Sequence, residues 1–291
     1  MSYPDDIKRE KIIVVPLKFV DDFPHHPFQV KDDESMQQLI HSIKMNGVLN
    51  PVIARKKENG NYELISGHRR KRACEVLGID LIPVIVREMS RDEAVIEMVD
   101  SNLHRESILP SEKAFAYKMK MDAMRRKAGR YNQGNSRPMV GNYETADLIG
   151  SETNESGRQV QRYIRLTELI SELLVLVDTG KIGFRPAVEL SYLREEEQRC
   201  LLETIDSEDC TPSLAQAIRM KELSRNGKLD MDSIFSIMTE EKGNQKEKIK
   251  IPMERLEKFF PRGTPPSKVE ETIIKALELY RKRQKELREV R

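Results

Sequence analysis

Cysteine is scarce in this 291-residue chain, which carries only Cys74, Cys200 and Cys210. These share no ligand-like spacing with one another or with the five histidines. That argues against a structural zinc site and a disulfide framework, and it fits a reducing cytoplasm. Long apolar runs are missing too. No stretch approaches the roughly 20 apolar residues of a membrane helix. The segment Met1 to Lys11 is charged without an apolar centre, so neither a span nor a secretion signal is expected. Nor does one charge sign dominate: 50 Lys plus Arg face 48 Asp plus Glu, a net +2. Net charge therefore does not announce a nucleic-acid partner, and local clustering must carry that claim. With 38% hydrophobic and 34% charged residues, the chain suits two or three small domains better than one large enzyme core.

What is present is alternation. Lys11 to Leu17 reads as a strand, and Asp33 to Met45 spaces Met36, Leu39, Ile40 and Ile43 as one helical face stopped by Asn46-Gly47. Val52 to Arg55 and Tyr62 to Ile65 form a hairpin around Glu58-Asn59-Gly60-Asn61. Helix Arg69 to Leu77 closing at Gly78, strand Leu81 to Arg87 and helix Arg91 to Ser101 follow. The expected class is α+β: a small mixed α/β domain over residues 1–110, an all-helical domain over 111–240, and a linker with a short strand and helix over 241–291.

Two segments carry chemistry. In Ser66-Gly67-His68-Arg69-Arg70-Lys71-Arg72-Ala73, a glycine closes a strand and arginines open a helix, an arrangement suited to phosphate. Gly67 lets a backbone N–H approach an anion, and Arg69, Arg70 and Arg72 offer forked donors. In isolation such a run is more often a solvated helix face. In the second, Asp100 to Ala114, Asn102 and Arg105 lie three apart and face one way on a helical end. They suit a metal-bound triphosphate, the amide oxygen toward Mg²⁺ and the guanidinium toward phosphate. The same stretch also reads as a helix end followed by a capping box at Ser111-Glu112-Lys113-Ala114, and both readings can hold.

These segments resemble the nucleotide-binding motifs of the ParB family of plasmid and chromosome partition proteins, G-E-R-R-x-R-A and E-N-L-Q-R-E-x-L-x-P-x-E-x-A. Gly47-Val48-Leu49-Asn50-Pro51 resembles the family's G-I-x-x-P, and His26 to Lys31 resembles N-P-x-Q-P-R with lysine where arginine is usual. The resemblance covers approximately residues 11 to 220. It implies a ParB/sulfiredoxin-like first domain that binds CTP and Mg²⁺. Gly47, Val48 and Asn50 would lie toward the base, Gly67, His68, Arg69, Arg70 and Arg105 toward phosphates, and Asn102 toward the metal. Two positions depart from the pattern. His68 and Ser101 stand where the family carries glutamates implicated in CTP hydrolysis, and neither replaces a carboxylate. Binding is implied and turnover left open. Sulfiredoxin's nucleophilic cysteine has no counterpart, since Gly67 occupies its place and Cys74 reads as packing.

Further on, the basic stretch Arg125 to Pro138 reads equally as a segment lying along phosphates or a solvated linker. Thr145 to Gly150 and Gly157 to Leu169 form a helix-turn-helix, with Ser151 to Ser156 enlarging the loop beyond a tight turn. Val160, Ile164 and Leu166 face inward. Arg158, Gln159, Gln161, Arg162 and Arg165 are left to reach double-stranded DNA. Ile182 to Ala187 resembles the family's I-S-x-x-H-A-R turn without its histidine. After a charged linker, Ile249 to Pro252 reads as a strand, and the helix Val269 to Leu287 aligns Ile273, Ile274, Leu277 and Tyr280. That stripe calls for a second copy of the chain, or else for packing in cis.

The resemblance implies a CTP-dependent homodimeric clamp that loads at a palindromic centromere-like DNA site and then holds DNA non-specifically. It also implies a ParA-type Walker ATPase as partner and no membrane contact. A sequence-specific transcriptional regulator on the same scaffold is the alternative. A phosphotransferase or nuclease is a third reading, and the sequence lacks the clustered carboxylates or histidines that a nuclease metal would need.

Overall fold

The computed structural model describes residues 12–105, 107–131, 142–240, 259–260 and 265–289. Strand β1 (Ile12–Pro16) passes through a tight turn into β2 (Val20–Asp21). Helix α1 (Glu34–Asn46) opens on Asp33, whose carboxylate accepts from the Met36 N–H at 2.9 Å, and stops at Gly47, where φ is 70°. Strands β3 (Val52–Lys56) and β4 (Tyr62–Ser66), helix α2 (His68–Leu77), strand β5 (Leu81–Arg87) and helix α3 (Arg91–Leu103) follow. The sheet runs β1-β5-β3-β4-β2 and is mixed: β1 with β5 and β3 with β4 are antiparallel, β3 with β5 and β2 with β4 parallel. The class is α+β.

One face of the sheet is covered along its length, and the other is covered at the central strands β3 and β4 but exposed at β1, where Ile12 and Val14 face solvent. Val52, Ala54, Leu64, Val84 and Ile82 pack on Met36 and Ile43 of α1 and Ala73 and Cys74 of α2. Ile65 on the other face packs with Val95, Met98 and Val99 of α3 and with Ala116 and Tyr117 of α4 (Pro110–Tyr131). This second cluster extends to Ala146 and Ile149 of α5 (Asn142–Glu152) and Val160 of α6 (Gly157–Arg165). The chain divides into compact units 1–240 and 241–291. The boundary expected at 110/111 therefore lies within one unit and inside a shared core.

Helices α7 (Ser171–Asp178), α8 (Phe184–Leu190), α9 (Glu195–Glu208), α10 (Leu214–Arg225) and α11 (Met231–Thr239) close around a third cluster containing Leu173, Leu190, Leu201 and Ile234. In the second unit, α12 (Pro266–Glu289) buries Val269 and exposes Ile274, Leu277 and Tyr280. The strand expected at 249–252 and residues 132–138 of the basic stretch lie outside the described residues. No described helix is long and apolar enough to cross a membrane.

The helix-turn-helix corrects two expectations. Its loop is not enlarged, because α5 runs on to Glu152 and leaves only residues 153–156 to turn, with Asn154 at φ 56° and Ser156 capping α6. Its second helix is shorter than expected, giving way at Arg165 to a tighter turn over Leu166–Glu168.

Candidate nucleotide site and DNA-reading helix

A cavity of about 720 Å³ opens where β4 meets α2, walled by Ser35, Leu39, Asn50, Pro51, Ser66, Gly67, His68, Arg69, Arg70, Ser101, Asn102 and Arg105. Gly67 makes the turn with φ 109°, a conformation that L side chains rarely adopt. A Cβ there would lie 2.6 Å from Val52 Cγ1. The strand thus ends in a left-handed residue that turns the N–H groups of α2's first turn toward the cavity.

The arginines divide by role. Arg69 donates through Nη2 to Ser35 Oγ and lies 3.5 Å from Asp33 Oδ1, while its Nε is buried without a partner among the described residues. Arg70 donates to the carbonyls of Asn50 at 2.5 Å and Pro51 at 2.6 Å. It clasps the 50–51 wall while itself lining the cavity. Arg72 pairs with Asp32 at 3.1 Å and Glu75 at 3.7 Å and is not part of the wall, contrary to its reading as a phosphate donor. Arg105 rests over the Phe28 ring, 5.6 Å from its centre. Among the described residues no carboxylate lines the cavity, so the field these residues set up favours an anion.

His68 stacks on His26 with ring centres 3.8 Å apart and is 9% exposed. Burial, reinforced by His26, Lys71 and Arg105, lowers its pKa to about 3, so it is a neutral imidazole at neutral pH. His26 is likewise lowered by burial, against a 2.7 Å hydrogen bond with the Phe28 carbonyl. Nε2 of each histidine is buried without a partner among the described residues. Asn102 is 4% exposed and donates from Nδ2 to the Met98 carbonyl at 2.7 Å, which leaves its amide oxygen as the end available to a cation. The Ser101 hydroxyl donates to the same carbonyl at 3.0 Å. Among the described residues there is no cluster of three or more acid, His or Cys side chains able to hold a metal alone. The donor set suits Mg²⁺ that arrives with phosphates, which supply most of its ligands.

Of the residues singled out in the sequence, Asn50, Gly67, His68, Arg69, Arg70, Asn102 and Arg105 meet at the cavity. Gly47 and Val48 do not join its wall: Gly47 ends α1, and Val48 packs against the sheet cluster. Ser35, Leu39 and Ser66 were missed. Ser35 sits beside the Asp33 cap, and only the fold of α1 across α2 brings it near Arg69.

On α6, Arg158 and Arg162 are exposed and Gln159 and Gln161 half-buried, forming a polar face. Arg165 shares this face by helical spacing, but its guanidinium is already engaged. Its Nη2 donates to the Ser191 carbonyl at 2.7 Å and its guanidinium lies 4.2 Å from the Tyr192 ring centre, so it anchors α6 to the end of α8. Two glycines let α6 seat closely on α5. A Cβ on Gly157 would meet Asp147 Oδ1 at 2.0 Å, and one on Gly150 the Glu155 carbonyl at 2.5 Å.

Residues 1–103 match the family described as ParB N-terminal domain. The match is to that domain, within the first 103 of the 291 residues. It is 34% identical over 110 residues to the probable chromosome-partitioning protein ParB of Pseudomonas putida, covering 38% of either protein. It is 27% identical over 201 residues to the nucleoid occlusion protein of Listeria innocua, covering 68% of this chain and 64% of that one. The match thus spans well under half the length of the first of these relatives. A C-terminally truncated ParB from Caulobacter crescentus, solved with CTP-gamma-S, aligns over 67% of this chain and 99% of its own at 21% identity and a TM-score of 0.31.

Proposed function

We propose that this chain is a ParB-like partition or nucleoid-occlusion protein that binds CTP with Mg²⁺ in the cavity and double-stranded DNA along α6. The observation that carries this reading is the cavity around Gly67, free of acids among the described residues, in which Arg69, Asn102 and Arg105 converge at and just past the end of the region matched to the ParB N-terminal domain. Arg69 and Arg105 would hold phosphate oxygens, and Asn102 the metal. Bound Mg²⁺ supplies neutralisation of the phosphate charge. Binding is favoured over turnover. An imidazole with a pKa near 3 is a poor proton acceptor, and the Ser101 hydroxyl is committed to a carbonyl. The exposed stripe of α12 favours a homodimer, and two-fold symmetry would match a palindromic centromere-like site. A ParA-type ATPase partner and a clamp cycle complete the reading.

Calorimetric titration with CTP, ATP, GTP and UTP in Mg²⁺ tests it. Selective CTP binding, lost in Arg69→Ala and Asn102→Ala, is expected. No binding of any nucleotide, alone or with DNA, would leave a DNA-binding regulator on this scaffold.

A further inference from the structure

Helix α4 contributes side chains to the packing beside the cavity and also to α5 and α6. At its middle, Lys120 is 1% exposed, and its ammonium donates both to Asp100 Oδ1 on α3 and to Glu152 Oε2 on the last turn of α5. One turn earlier, Tyr117 donates its hydroxyl to Glu155 Oε2 at 2.9 Å and lies 3.1 Å from Thr153 Oγ1, and Lys113 reaches Glu155 at 2.5 Å. The turn that aims α6 is thus held from α4. Asp100, meanwhile, lies on the same helical end as Ser101 and Asn102, which line the cavity.

Lysine is almost never this deeply buried unless paired. Its carboxylate partners are 41% and 54% exposed, so each could be solvated without it, and an apolar side chain of the same length would fill the space. A buried cation is a weak stabilising device. What it adds is one charge shared between two elements, so that a displacement of either carboxylate alters the pull on the other.

We propose that Lys120 is a positioning residue that couples the cavity to the α5–α6 pair, a ligand on Asn102 moving Asp100 and, through Lys120, Glu152 and the turn into α6. This rests on the nucleotide and DNA reading above and adds the group that joins the two sites. Coupling of this kind is reciprocal: whatever factor DNA imposes on nucleotide affinity, nucleotide imposes on DNA affinity.

The test uses the full chain. The CTP dissociation constant is measured by calorimetry in Mg²⁺, with and without a DNA duplex selected by the protein from a random pool. The wild type is expected to show a ratio of about fivefold or more between the two. Lys120→Met should bring that ratio near one while leaving CTP affinity without DNA, and DNA affinity without CTP, unchanged. Asp100→Asn and Glu152→Gln, which each remove one half-exposed arm, should do the same and decide the matter if Lys120→Met fails to fold. Glu155→Gln, on the same turn but off Lys120, should keep the wild-type ratio. A wild-type ratio retained in Lys120→Met, or in both single-arm variants, overturns the coupling role, as does a wild type that binds both ligands with a ratio of one. A wild type that binds no nucleotide overturns the ligand reading itself, and the coupling with it.

Discussion

Around the cavity, Nε2 of His26, Nε2 of His68 and Nε of Arg69 are buried without a partner among the described residues, whereas along α4 Lys113, Tyr117, Lys118 and Lys120 all meet an oxygen acceptor. Each unmet buried polar group costs about 1–3 kcal/mol. The cavity therefore carries a free-energy burden that the α4 scaffold does not, as expected where a surface is kept ready for a ligand rather than optimised for folding. Substitutions in the two regions should separate stability from binding in opposite directions.

The largest effect belongs to the turn at the cavity itself. Gly67→Ala places a Cβ against Val52 at a backbone angle that L residues avoid. It should lower the unfolding free energy by about 2–4 kcal/mol in urea titrations. Gly78→Ala, also left-handed but with open space around it, should lose only about 1–2 kcal/mol. Equal losses would show that sterics at Val52 do not matter.

Next, Arg105→Gln should weaken CTP binding by about 1.5–3 kcal/mol, the value of a charge-assisted hydrogen bond, and leave the thermal midpoint unchanged or slightly raised. A large drop in midpoint would mean that the cavity is structural. For acidity the sign is set by His68, whose folded pKa lies below its ordinary 6.5. Below that pH the unfolded chain takes up a proton that the folded chain refuses, so stability is full above 6.5 and falls as pH drops toward about 3. Over the first pH unit below 6.5 the loss is at most about 1.4 kcal/mol, and His68→Gln should flatten it. The smallest effect is on the scaffold. Tyr117→Phe should cost about 1 kcal/mol of stability and leave nucleotide affinity unchanged. A change in affinity there would blur the contrast.

Much of this was legible locally. Gly47 and Gly78 end their helices as glycine stops do, and the Gly67 turn, Asn102 and Arg105 come together because each lies at the end of a regular element. What was not legible are the partners of side chains that meet residues distant in sequence. Arg70 is drawn to the Asn50 and Pro51 carbonyls, Arg72 to Asp32, and Arg165 to Ser191 and Tyr192. The extra turn of α5 is invisible for the same reason: Glu152 meets Lys120, 32 residues earlier. A guanidinium takes the nearest oxygen the fold supplies, and helical spacing does not reveal which that is.

The glycines at 150 and 157 have one more consequence. They set α6 against α5 by contact of main chain with main chain and with Asp147, so the exposed residues Arg158 and Arg162 take little part in seating the helix. The platform that presents this face is thus built separately from the side chains it presents.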